Sequence, residues 1–434
     1  MKNEQAPVLP ASRKAQRTFN PIRSIVDTLQ PPKDHPKKIL NMALGDPCAH
    51  GLVPPEALTD AMHKNLDSNA FNGYLPSTGH PEAKKAVANY ASRPGFEVDP
   101  DDVIIASGCS GALELVISAM IDEGDNILVP SPGFPLYQVI TDSLGGITKH
   151  YPLLPDKSWE CDLKRMNELV DKRTKAILVN NPSNPCGAVY SSQHLKDIAA
   201  VARKHGLPII ADEIYSGIVF SGEEFAPMQV HSGDVPVLSL GGLAKEFVCP
   251  GWRVGWVTIH DRGGRLADIK TGLKQLTQLI VGANSLVQAC IPSVLTPESN
   301  CKAEKGLKDY AHTYVQLLED NSAAAVKKTA DCPELEVIPA QGAMYAMVRI
   351  SVDALVGIKD DTDFAQQLLQ EENLVVLPGA CFGIKNFVRI LTCPSKDVVS
   401  ESIDRMNNFC AKRRRGEKKR TRSVLLVEDE EAGG

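Results

Sequence analysis

Ser239-Leu-Gly-Gly-Leu-Ala-Lys245-Glu-Phe-Val-Cys-Pro-Gly-Trp-Arg253-Val-Gly-Trp256 is the stretch from which the rest of the chain can be read. It is entered through Val235 to Leu240, apolar and β-branched enough for a buried strand. Gly241 and Gly242 then allow the backbone to turn sharply, and Lys245 follows. A lysine just past a strand end can be desolvated and made nucleophilic, which suits Schiff-base chemistry. Arg253, beside Gly251 and Trp252, suits a phosphate, which a guanidinium grips with paired donors. Taken alone, a solvated loop lysine and a surface ion pair fit these residues equally well.

The chain has 434 residues, too many for one compact core of ordinary size, so two domains are expected. Hydrophobic residues make up 43% and charged residues 23%, as in a soluble globular protein. The net charge of −6 gives no reason to expect nucleic acid as a partner, and no apolar run is long enough for a transmembrane helix, so no membrane is expected either. Met1 to Thr18 lacks the apolar core of a secretion signal. Lys2, Arg13, Lys14 and Arg17 leave a mitochondrial signal open, whereas Glu4, Pro7 and Pro10 count against a targeting helix. The expected compartment is the cytoplasm. Eleven cysteines without a Cys-x-x-Cys spacing fit reduced thiols and argue against a zinc site; no metal is expected.

From about Asp101 to Trp256, short apolar runs alternate with helix-like stretches. The runs are Val103 to Ala106, Asn126 to Val129, Ala176 to Val179, Leu207 to Ala211 and Val235 to Leu240. That is the βαβ pattern of a mostly parallel sheet with helices on both faces. After Pro292 the pattern loosens into helix-like Ala303 to Lys328, then strands near Glu336 to Pro339 and Ala343 to Arg349. A helix at Asp361 to Glu372, strands at Leu374 to Leu377 and Phe387 to Thr392, and a closing helix at Lys396 to Cys410 complete an α+β domain. The fold class is therefore α/β with a smaller α+β domain. The expected divisions are a flexible tail over 1–18, a segment over 19–66 packing with the small domain, a large domain over 67–300, a small domain over 301–411, and a charged, disordered tail over 412–434.

In open α/β sheets, ligands bind beyond the carboxyl ends of the strands. Five of those ends carry suitable residues. Ser107-Gly108-Cys109-Ser110 joins a glycine turn to a helix start, which makes a phosphate cradle. Phe134 in Pro132-Gly-Phe-Pro135 can stack on a ring or simply fill the core. Asn184 lies in a loop stiffened by Pro182 and Pro185, as a rigid donor or a plain turn residue. Asp212 directly follows a buried run, a costly place for a carboxylate without a partner. A protonated pyridine nitrogen is such a partner, and Tyr215 can approach the ring's phenolic oxygen. Lys245 is the fifth. Together they point to pyridoxal 5'-phosphate, an aldehyde with a phosphate handle. Farther on, Arg389 lies inside an apolar stretch, where a substrate carboxylate or an internal acid could meet its charge.

In combination these segments resemble the fold-type I pyridoxal phosphate-dependent aminotransferases, most closely their tyrosine aminotransferase branch. The resemblance runs from about Phe19 to Cys410 and rests also on Phe19-Asn-Pro-Ile-Arg23, Leu44-Gly-Asp-Pro47, Asn72-Gly-Tyr-Leu-Pro-Ser-Thr-Gly79, Pro132-Gly-Phe-Pro-Leu-Tyr137, Asn180-Asn-Pro-Ser-Asn-Pro-Cys-Gly187 and Gly342-Ala-Met-Tyr345. It implies that Lys245 holds the cofactor and moves the proton, with Asp212 on the ring nitrogen and Tyr215 and Asn184 on the ring oxygen. Phe134 would stack on the ring, and Gly108, Cys109, Ser110 and Arg253 would hold the phosphate. Tyr74 would reach the phosphate of a neighbouring subunit, which implies a homodimer. Arg389 would bind the substrate α-carboxylate, helped by Gly45, with Asn20 and Arg23 over the substrate. Many such enzymes carry a serine three residues before the lysine; here it is Gly242, as in the tyrosine branch.

The implied substrates are an amino acid and a 2-oxo acid. No arginine lies between Arg265 and Arg349, where aspartate-acting relatives keep a clamp for a second carboxylate. Neutral and aromatic side chains are therefore expected: tyrosine first, then phenylalanine, tryptophan and methionine. A broad-specificity aminotransferase and a lyase acting on a sulfur amino acid are the alternatives within the fold. A non-catalytic binding protein has no use for the full residue set.

Overall fold

The computed structural model describes residues 8–26, 30–299 and 301–415. Strand β1 (Leu40–Asn41) precedes a large sheet made of β2 (Val103–Ala106), β3 (Asn126–Ser131), β4 (Ile147–Leu154), β5 (Glu160–Cys161), β6 (Thr174–Asn180), β7 (Ile209–Asp212), β8 (Val237–Gly242) and β9 (Gly255–His260). Their order is β2-β9-β8-β7-β6-β3-β4-β5. The stretch from β8 through β7, β6 and β3 to β4 is parallel, while β9 runs antiparallel to both its neighbours. The expected mostly parallel sheet is thus present.

Both faces of this sheet are covered, and strand alternation shows how. In β6, Ile177 and Val179 join a core with Leu195, Ile198 and Ala202 of helix Ser192–Lys204. Leu178 between them faces Leu113, Val116 and Ile117 of helix Gly108–Met120. A strand buried on both faces reads as a continuous apolar run, which is why these strands were visible in the sequence.

Two features differ from the sequence reading. Gly241 and Gly242 do not make the turn before Lys245; they are the last two residues of β8 and pair with Trp256 and Gly255. A Cβ at Gly241 would lie 2.5 Å from Trp256 Nε1, and one at Gly242 would lie 2.9 Å from the Val254 carbonyl oxygen. The glycines let β9 and its tryptophan close over β8. Second, β4 has no apolar run to betray it, because its first four residues are not buried and only Tyr151 and Leu153 are.

The remaining strands, β10 (Leu335–Ile338), β11 (Tyr345–Ile350), β12 (Leu374–Val375), β13 (Leu377–Pro378) and β14 (Phe387–Leu391), belong to the second half. β10-β11-β14-β13 form an antiparallel sheet, while β12 pairs in parallel with β1. Helices Lys302–Thr329, Asp361–Glu372 and Lys396–Ala411 contribute Tyr314, Leu318, Phe364, Phe409 and Met406 to the core against this sheet. The segment over 19–66 divides: Leu40 and Met42 join this core, while Leu58 packs with Ala83, Val103 and Ile291 beside the large sheet.

Residues 13–17, expected in a flexible tail, form a short helix capped by Ser12, and Arg17 pairs with Glu123 at 2.6 Å. At the other end Lys412 bonds Glu372 at 2.7 Å, and Arg414 grips Glu334 at 2.6 and 2.9 Å. The rest of both expected tails, 1–7 and 416–434, lies outside the described residues. Among the described residues no helix is long and apolar enough to cross a membrane.

Gly255 shows how closely the sheet supports its first helix. A Cβ there would come within 2.3 Å of Cys109 N and 2.5 Å of Gly108 C. Both are backbone atoms that cannot swing aside. Gly255→Ala is expected to lower the free energy of urea unfolding by about 1–3 kcal/mol, the usual cost of overpacking. It should also weaken anion binding at the start of helix Gly108–Met120, measurable with inorganic phosphate.

Candidate active site

The carboxyl ends of β2, β3, β6, β7 and β8 open on one edge of the sheet, and the second half of the chain closes over it. Between them lies a cavity of about 320 Å³. Lys245, Asp212, Tyr215, Asn184, Cys109, Ser110, Phe134, Arg253, Arg389, Gly45, Asn20 and Arg23 all line it. Tyr74 does not; its side chain is 93% exposed.

At one end, Gly108 (φ 74°) opens helix Gly108–Met120, and Ser107 gives no side-chain cap to the first turn. Arg253 Nη2 donates to Ser110 Oγ at 2.7 Å and Nη1 to the Pro250 carbonyl at 2.9 Å. A Cβ at Gly108 would sit 2.5 Å from Arg253 Nη2, so only glycine lets the guanidinium close over the helix start. Backbone N–H groups, a helix dipole and a guanidinium together form an anion site.

Mid-cavity, Asp212 is 5% exposed. Tyr137 donates its hydroxyl proton to Oδ2 at 2.7 Å, and Ile214 N donates to Oδ1 at 3.3 Å. Burial pushes the Asp212 carboxyl above the usual carboxylate range, against the pull of these hydrogen bonds. Phe134 stands edge-on to Tyr137, with ring centroids 5.7 Å apart. Lys245 Nζ donates to the Gly45 carbonyl at 2.8 Å. Gly45 thus offers its carbonyl to the lysine. Burial pushes the Tyr215 phenol far up, and its hydroxyl lies 3.0 Å from that of Tyr345.

At the far end, Arg389 of β14 is 2% exposed. Nη1 donates to Asn184 Oδ1 at 2.9 Å and Nη2 to the Ala43 carbonyl at 2.5 Å. Its guanidinium lies 4.2 Å from the Tyr345 ring centroid and 4.7 Å from that of Phe382. Among the described residues it forms no ion pair, and its Nε has no hydrogen-bond partner. An internal acid, the alternative left by the sequence, is not there. A buried guanidinium without a counterion calls for an anion from outside. Asn20 Oδ1 accepts from the N–H groups of Ile22 and Arg23, at 3.1 and 3.3 Å, and so orders the short helix that carries Arg23 to the cavity.

An anion cradle, a buried carboxylate, a half-buried lysine and a buried unpaired arginine in one cleft narrow the field sharply, and the sequence comparison decides it. The family model for aminotransferase class I and II matches residues 37–406. The chain belongs to the class I and II aminotransferases. It is 43% identical over 403 residues to a tyrosine aminotransferase of Dictyostelium discoideum, covering 92% of this chain and 95% of that protein. It is 40% identical over 401 residues to the tyrosine aminotransferase of Bos taurus, covering 92% and 88%. The crystal structure of a tyrosine aminotransferase from Leishmania infantum superimposes with a TM-score of 0.88 at 35% identity, covering 95% of this chain and all of that one.

Two residues that support this aminotransferase's site, Tyr345 in the cavity wall and Tyr137 behind Asp212, had no role in the sequence reading. Tyr137 and Tyr345 end the Pro132–Tyr137 and Gly342–Tyr345 segments, but nothing in their spacing says that they meet Asp212 and Tyr215. Tyr137 reaches Asp212 because it lies on the buried side of helix Leu136–Ser143, edge-on to Phe134.

Tyr137→Phe removes the donor to a buried acceptor and is expected to cost about 1–3 kcal/mol of unfolding free energy. The sign depends on pH. Tyr137 favours the charged form of Asp212, so its loss raises the folded carboxyl further above the unfolded one. The destabilisation should be full in mildly alkaline buffer and shrink as acid protonates Asp212. Urea unfolding at several pH values checks this.

Proposed function

We propose that this enzyme uses pyridoxal 5'-phosphate to move the amino group of tyrosine, and of related aromatic amino acids, to a 2-oxo acid such as 2-oxoglutarate or pyruvate. The observation that carries the reading is the pairing, in one cavity, of buried Asp212 beside Lys245 with the unpaired, buried guanidinium of Arg389. The donor set suits the cofactor. Gly108 to Ser110 and Arg253 match its phosphate, Asp212 its pyridine nitrogen, Phe134 its ring face, Tyr215 its phenolic oxygen and Lys245 its aldehyde. When bound, pyridoxal phosphate supplies an aldehyde for the amino group and a ring that takes up the electrons left behind at Cα.

The protein's own part follows from its geometry. Arg389 and Asn184 are already joined, so the α-carboxylate meets a guanidinium that is held in place before it arrives. Asn184 Oδ1 faces Arg389, which leaves its amide N–H groups for the ring oxygen. Asp212 would keep a proton on the ring nitrogen, and its Tyr137 bond prevents it from turning away. Lys245 Nζ, once freed, would take the Cα proton as general base and return it to the carbon that was the cofactor's aldehyde. Two such halves, run in opposite directions, give ping-pong kinetics.

The aromatic preference rests on three points. The chain lacks an arginine between Arg265 and Arg349. Leu44, Leu113 and Leu136 add apolar wall to the cavity. Both relatives and the structural neighbour described above are tyrosine aminotransferases. Tyr74, fully on the surface, is free to enter the site of a second copy, and the proposed assembly is a homodimer. Eleven unpaired cysteines suit the reducing cytoplasm.

The test is an absorption spectrum of the cofactor-loaded protein, before and after tyrosine is added without an acceptor. The band of the lysine-bound cofactor should give way to that of the aminated cofactor, and 2-oxoglutarate or pyruvate should restore it. Release of ammonia or of a side chain, without need of an acceptor, would instead make the protein a lyase. A band that tyrosine leaves unchanged overturns the donor assignment. Lys245→Ala is expected to slow turnover by at least about 10²–10⁴-fold, the usual contribution of a general base.

A further inference from the structure

Tyr345 is 2% exposed and touches both the middle of the cavity and its Arg389 end. Its hydroxyl lies 3.0 Å from that of Tyr215, and its ring face carries the Arg389 guanidinium at 4.2 Å. A third neighbour is residue 45. A Cβ there would stand 2.2 Å from Tyr345 Oη, so position 45 has room only for glycine while Tyr345 holds its place. The carbonyl of that glycine accepts from Lys245 Nζ.

The topology adds to this. Tyr345 opens β11, which pairs with β14, the strand that bears Arg389. Tyr345 and Arg389 therefore ride on one antiparallel sheet. Tyr215 and Lys245 follow β7 and β8 of the large sheet. The Tyr345–Tyr215 contact is thus a side-chain bond between the two sheets, made at the cavity itself.

We propose that Tyr345 is a positioning residue that ties the carboxylate end of the site to the ring end, its hydroxyl directing the Tyr215 hydroxyl and its ring face supporting the Arg389 guanidinium. What Tyr215 and Arg389 bind rests on the function proposed above. The argument for two separable duties is physical. If Tyr345 donates to Tyr215, the Tyr215 proton is left to point at the ring oxygen, and an accepted hydrogen bond makes Tyr215 the stronger donor. A guanidinium stacked on an aromatic face gains attraction without losing its in-plane N–H groups, which stay available to a carboxylate.

Two substitutions separate these duties from simple core filling. Tyr345→Phe keeps the ring and removes only the hydroxyl. Tyr215 then donates less strongly to the ring oxygen, and the bound cofactor holds its lysine-linked proton more tightly. The spectroscopic pH midpoint of the loaded enzyme should rise by about 0.3–1 unit, the size expected for one weakened hydrogen bond. Affinity for 3-phenylpropionate, a carboxylate with no amino group to react, should stay within about twofold. Tyr345→Leu removes the ring as well, and its affinity for 3-phenylpropionate should fall by about 3–30-fold, as loss of a desolvated cation–π contact implies.

Calorimetry on the apoprotein measures the carboxylate arm without any cofactor. An unchanged pH midpoint in Tyr345→Phe overturns the first duty, and wild-type 3-phenylpropionate affinity in Tyr345→Leu overturns the second. Equal changes of both readouts in both variants would mean general loosening and would overturn the proposal as a whole. A wild-type protein that takes up no pyridoxal phosphate would instead sink the proposed function, while the apoprotein arm still reports on Tyr345 and Arg389.

Discussion

The guanidinium of Arg389 is the constraint around which the rest of the site is arranged. A full positive charge is buried on a central strand of the small sheet, with no carboxylate among the described residues to neutralise it. Such a charge is tolerated because its surroundings replace water with fixed dipoles: the Asn184 side chain, the Ala43 carbonyl and two aromatic faces. Those partners come from three different parts of the chain. Asn184 lies beyond β6 of the large sheet, Ala43 lies beside β1, and Tyr345 opens β11. One buried cation therefore pins the large sheet, the N-terminal segment and the small sheet together at one end of the cavity.

Asp212 presents the opposite problem at the middle of the cavity. Its carboxyl is pushed up by burial, and it keeps its charge only as far as Tyr137, Cys109 and the Ile214 amide assist. The two buried charges of opposite sign do not touch. They are held apart, one by each sheet, so that a ligand carrying a cation at its ring and an anion at its carboxylate can bridge them. Glycines make this spacing sterically feasible. Gly108 admits Arg253, Gly255 admits the start of helix Gly108–Met120, and Gly45 admits Tyr345.

Much of the fold was legible because its central strands are buried on both faces. The runs at Val103, Ala176 and Ile209 have no polar face to confuse with a helix, and they are followed at once by serine, asparagine and aspartate. Where burial is partial, the signal fails: β4 carries an exposed first half and gave no apolar run. The glycine pair before Lys245 was misread for a related reason. Glycine marks both a turn and a close backbone approach, and only the position of Trp256 shows which is meant.

The sequence by itself determined which residues sit at the strand ends, since buried runs and the turn residues after them are local properties of the chain. Lys245, Asp212, Asn184 and the Gly108–Ser110 cradle follow from that alone. Tertiary structure decided the contacts that join residues far apart. It determined that Arg389 meets an amide and a carbonyl in place of an acid, that Tyr137 rather than a nearer residue serves Asp212, and that Tyr345 reaches Tyr215. The reason is geometric. Each of these contacts depends on how one sheet is set against another, and a side chain's partner across that junction leaves no periodic trace in the chain that carries it.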